Sequence, residues 1–83
     1  MNTRNIVGKR VYQARKKAIP PITQTDLIAR LQLSGVMMDQ STLSKIENGQ
    51  RPVTDIELVA LAKVLKVSSA WLLGEKTEIR QVK

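Results

Sequence analysis

No cysteine and no histidine occur among the 83 residues. Disulfide bonds, thiol chemistry, zinc-finger ligand spacing and histidine acid–base catalysis are thereby excluded. Phenylalanine is also missing, and Tyr12 and Trp71 are the two aromatics. Recognition of single strands by base stacking needs several exposed rings, so this chain is poorly equipped for it. Acids are missing from residues 1–23, which carry Arg4, Lys9, Arg10, Arg15, Lys16 and Lys17. No apolar run approaches a membrane span and no signal-peptide pattern opens the chain, so a cytoplasmic protein is the default expectation. No nucleophile–base set, metal cluster or phosphate-cradling glycine loop stands out. The expectation is therefore a non-enzyme without cofactor or metal.

What is present is positive charge and helical periodicity. The net charge is +7. A basic end of this kind suits a polyanion, either nucleic acid or an anionic membrane surface, although basic solubilising surfaces are also common. The first helix lacks the bulky apolar face that membrane-surface helices use, which disfavours the membrane. The length fits one domain, here residues 1–74, followed by a polar tail over 75–83 expected to fray.

Five helical segments are legible. The first runs from Thr3 or Asn5 to Ala18, with Ile6, Val7, Val11, Ala14 and Ala18 on one edge and Gly8 as a weak helix former within it, and Pro20-Pro21 stops it. The second follows Thr23 as N-cap, with Leu27, Ile28, Leu31 and Leu33 as its inner stripe. The third spans Gln40 to Glu47 behind Asp39, with Leu43 and Ile46 inward and Asn48-Gly49 as the stop. Thr54 and Glu57 form a capping box for the fourth, whose inner face is Leu58, Leu61, Ala62 and Leu65, helped by Val59 and Val64. Ser68 to Leu73 is short and apolar. Met37 and Met38 read as gap-filling core. No strand signal is found.

The polar face of the third helix is the informative feature. Gln40, Ser41, Thr42, Ser44 and Lys45 are mostly short hydrogen-bonding side chains of the kind that read base edges in a major groove. A solvated helix face is the competing reading of the same residues. Lys9, Arg10, Thr23, Gln24, Asn48 and Arg51 are candidates for the phosphate backbone, where contacts fix register without carrying sequence information. Lys16 and Lys17 read as a long-range attractive patch.

The segments VGKRVYQARKK, TQTDLIARL, STLSKIENGQRP and IELVALAKVLKVSSAWLL together resemble the Cro/repressor (Xre-type) family of helix-turn-helix regulators. The resemblance implies an all-α, five-helix bundle of the lambda-repressor-like type. It implies a transcriptional repressor that binds double-stranded DNA as a homodimer, with half-sites about one helical turn apart. It implies a buried ion pair between Arg15 and Glu47, and a Gln24 that contacts phosphate while bracing Gln40. It places a possible dimer contact at Trp71 and Leu72, although Trp71 reads equally well as core. The alternative is an adaptor, such as an antitoxin, that uses the same fold to hold a protein partner. The chain departs from the family in two places. Extra residues follow the first helix around Ile19-Pro20-Pro21. The link between the second and third helices is longer than the family's tight turn, so either the second helix continues for another turn or the connector bulges.

Overall fold

Each helix begins where a short polar side chain can close its first turn. The computed structural model describes residues 3–75. It contains α1 (Gly8–Lys17), α2 (Gln24–Leu33), α3 (Gln40–Glu47), α4 (Asp55–Leu65) and α5 (Ser69–Leu72). The tail expected to fray falls almost wholly outside the described residues.

Thr23 and Asp26 form a reciprocal capping box on α2, and Thr54 and Glu57 form one on α4. Asp39 accepts from the Thr42 amide at 2.8 Å, and Ser68 accepts from the Trp71 amide at 3.0 Å. Each satisfies backbone donors that an α-helix leaves open at its N-terminus.

α1 is capped from outside the helix. Asn5 Oδ1 accepts from the Val7 and Gly8 amides at 3.0 and 2.7 Å. Its Nδ2 donates to the carbonyls of Ile46 and Arg51 at 3.1 and 2.8 Å. One side chain thus ties the start of α1 to the exit of α3. α1 consequently begins at Gly8, later than the periodicity indicated, and Ile6 is exposed. Gly8 is not a mere blemish in the helix. A Cβ there would collide with the Ile46 carbonyl oxygen, so the missing side chain permits the close approach of α1 and α3.

The lengthened connector is settled by Gly35. α2 stops at Leu33, Gly35 takes a left-handed φ of 90°, and the Gly35 and Val36 amides donate back to Gln32 and Leu31. This double bond pattern closes the helix and swings Val36 onto the core. Leu33 points away and is 89% exposed, so its place in the inner stripe is corrected. Met37 is likewise exposed, while Met38 packs against the core.

The core joins Val7, together with Val11 and Ala14 of α1, to Leu27 and Leu31, Leu43, Leu61 and Leu65, and Val67. Ile46 is also wholly buried. Trp71 and Leu72, placed above at a subunit contact, are 3% and 0% exposed. Both belong to the chain's own hydrophobic core. Val59, counted toward the α4 core, is 61% exposed.

Candidate nucleic-acid interface

α3 has two unlike sides. Leu43 and Ile46 are fully buried, which turns Gln40, Ser41, Lys45 and Asn48 outward as exposed residues. Thr42 and Ser44 flank that face and are half-buried.

Behind the exposed face runs a chain of hydrogen bonds from the core to the surface. Arg15, 5% exposed, donates through Nε and Nη2 to the two Glu47 carboxylate oxygens at 2.7 and 2.8 Å. Its Nη1 donates to the Ile22 carbonyl at 3.0 Å. The Glu47 carboxylate holds the Arg15 pKa above its ordinary value, so the cation is locked on. Glu47 also accepts from Gln24 Nε2 at 3.1 Å. Gln24 Nε2 donates to Ser44 Oγ at 3.2 Å, and Gln24 Oε1 accepts from Gln40 Nε2 at 3.1 Å. No buried side-chain nitrogen or oxygen among the described residues lacks a partner. A fully satisfied polar network is rigid, and this one fixes α2 against α3 and aims Gln40.

The candidate residues do not all converge. Lys9 shares a groove of about 410 Å³ with Tyr12, Gln24, Ser44 and Asn48. Lys16 lines a neighbouring depression with Thr23, Gln24 and Gln40. Thr23 is exposed at the start of α2, with its oxygen accepting from the Asp26 amide at 3.0 Å. Lys9, Lys16, Thr23, Gln24, Gln40, Ser44 and Asn48 therefore form one continuous polar surface along the α3 face.

Arg10 and Arg51 stand elsewhere. Arg10 follows Lys9 by one residue, which is a rotation of about 100° around the helix. Its guanidinium lies 4.8 Å over the Trp71 ring and donates to the Trp71 carbonyl at 2.8 Å. Arg51 grips Glu57 with both terminal nitrogens at 2.9 Å and donates to the Pro52 carbonyl at 2.8 Å. That pairing raises the Arg51 pKa and lowers that of Glu57. Glu57 is thus more than a helix cap, and Arg51 clamps the α3–α4 loop with its charge already compensated. Ser44 is turned into the network, so its hydroxyl serves Gln24 before any base.

Sequence reasoning passed over Tyr12. Its half-exposed ring sits beside Lys16 Nζ at 5.4 Å and the Arg15 guanidinium at 5.3 Å. The signal was available: Lys9, Tyr12 and Lys16 lie at helical spacing on one face of α1. Among the described residues no cluster of acids could hold a metal ion, and no helix is long and apolar enough to cross a membrane.

A family model described as a helix-turn-helix matches residues 22–72, from the residue before Thr23 to the end of α5. A comparison with curated proteins finds no match.

Proposed function

The chain belongs to the Cro/C1-type, Xre-like helix-turn-helix family of DNA-binding regulators, and from that premise we propose that it is a sequence-specific transcriptional repressor acting on double-stranded DNA as a homodimer. The observation that carries this reading is the hydrogen-bonded line Arg15–Glu47–Gln24–Gln40 beneath an exposed α3 face. It holds Gln40 in place before DNA arrives. Less of the Gln40 side-chain entropy then remains to be lost on binding.

Gln40, Ser41 and Lys45 are assigned to base edges, with Thr42 at the flank. Gln suits adenine, Lys suits guanine, and Ser and Thr suit either. Lys9, Lys16, Thr23 and Asn48 are assigned to phosphates, with Gln24 reaching one phosphate while bracing Gln40. Two copies on a two-fold site, with half-sites about 34 Å apart, multiply the discrimination of one short helix. Repression follows when such a site overlaps a promoter and the bound dimer occludes it.

The test is selection from a random duplex library, followed by a salt series on selected and random duplexes. A reader of sequence yields an enriched two-fold motif and keeps its preference as salt rises, while both affinities fall. Sequence-indifferent binding would overturn the reading and favour the protein-holding adaptor. The repressor assignment is checked by run-off transcription with the motif set across a promoter. Unchanged transcript would remove it.

A further inference from the structure

We infer that the outward face of α4 is a two-fold docking surface for a second copy of this chain. The inference rests on the dimeric reading above and offers a contact in place of Trp71 and Leu72, whose side chains are buried within their own chain.

α4 turns Ala60, Leu61, Ala62 and Leu65 inward and leaves Asp55, Ile56, Val59 and Lys63 exposed. Ile56 is 70% exposed and Val59 is 61% exposed. Together with Ala60 and with Val36 of the long connector, these residues line one shallow groove, and no α3 residue takes part in it. The face can therefore be covered while α3 remains open to DNA.

The order of charges along the face selects the occupant. Asp55, Val59 and Lys63 are spaced four apart, so they lie in one row, with the acid at the N-terminal end and the base at the C-terminal end. Val59 is their midpoint. A second α4 laid antiparallel across the first, with the two-fold axis at Val59, sets Asp55 of each copy against Lys63 of the other. The two charges are about 12 Å apart along the helix axis at 1.5 Å per residue. An interaxial distance of about 8–10 Å brings the two Val59 side chains together, with Ile56 beside them. A parallel arrangement would instead oppose like charges. The pattern is thus complementary to itself, as a closed two-fold interface requires.

Neither charge has an ion-pair partner among the described residues. The ion pairs among the described residues are Arg15–Glu47 and Arg51–Glu57. The Asp55 carboxylate accepts from the neighbouring Ile56 amide, and Lys63 has no side-chain hydrogen bond among the described residues. Two apolar side chains per copy make a small interface. The dimer is therefore weak in free solution and tightens when DNA holds both copies together.

Sedimentation velocity across a hundredfold concentration range tests this. The wild-type chain shows a reversible monomer–dimer equilibrium. Asp55→Lys and Lys63→Asp each weaken it at least tenfold, with helical circular dichroism confirming the fold. An equimolar mixture of the two single variants restores the dimer, because each mismatched charge then meets its opposite. The double variant D55K/K63D restores it as well. Single variants that dimerise like the wild type would overturn the inference, as would a mixture that stays monomeric or a wild type that never associates. The two readings fail separately. Monomeric variants that still prefer the selected half-site would leave DNA recognition intact. Conversely, a charge-dependent dimer with no base preference would sink the DNA reading alone.

Discussion

Replacing Glu47 with Ala tests the joint between stability and recognition. Glu47 and Arg15 have side chains only 7% and 6% exposed, and Glu47 accepts two hydrogen bonds from Arg15 and one from Gln24. Removing the carboxylate leaves a guanidinium that cannot give up its proton, with the Ile22 carbonyl as its remaining acceptor. Breaking a buried pair in this way costs about 3–5 kcal/mol. A domain of this length has a total stability of roughly 4–12 kcal/mol at about 0.05–0.15 kcal/mol per residue. Urea denaturation should therefore show a loss of a quarter or more of the stability. The melting temperature should fall by roughly 4–8 °C for each kcal/mol. The paired replacement Arg15→Met with Glu47→Leu removes both charges and should recover most of the loss, since apolar substitutes of similar size often match a buried ion pair. That double variant still lacks the acceptor for Gln24. It should fold yet bind its selected duplex about tenfold more weakly, equivalent to about 1.4 kcal/mol. A Glu47→Ala loss under about 1 kcal/mol would show that water already screens the pair. The rigid line to Gln40 would then not exist.

Gly8→Ala should destabilise by about 1–3 kcal/mol, because the added methyl meets the Ile46 carbonyl across the α1–α3 contact; an unchanged urea midpoint would show that the helices separate freely. Lys9→Ala should weaken binding to all duplexes alike and lower the salt slope by about one. Arg51→Ala should leave that slope nearly unchanged and lower the melting temperature instead, since its charge is already held by Glu57; equal slope changes for the two variants would refute the division. Glu57 has a folded pKa below its ordinary 4.5, chiefly through Arg51. Its contribution is therefore present above that value and lost as pH falls through the folded pKa. Glu57→Gln should flatten the loss of stability between about pH 5 and 3, and denaturant curves taken across that range would expose any failure.

The starts of α2, α3, α4 and α5 were legible because their causes are local. Thr23 with Asp26, Thr54 with Glu57, Asp39 and Ser68 each act within three residues. The errors arose where the deciding contact is distant. Lys9 and Arg10 are equivalent cations in the chain. Only the rotation of α1, set by Arg15 pointing at a partner 32 residues away, sends one toward Gln24 and the other to Trp71. Gly8 looked like a weak helix former until Ile46 was placed against it. The extended connector posed the same problem, and its resolution shows why a longer turn need not move the reading helix. α3 is fixed by groups on α3 itself. Leu43 and Ile46 are in the core, the Ile46 carbonyl is bonded to Asn5, Ser44 is bonded to Gln24, and Glu47 is bonded to Arg15. Those anchors determine its rotation and depth, and Asp39 restarts the helix after whatever path the chain takes from Gly35. The added residues are consequently spent on the surface beside α4, where Val36 joins Ile56 and Val59, while the face presented by Gln40, Ser41 and Lys45 keeps the orientation that the anchors dictate.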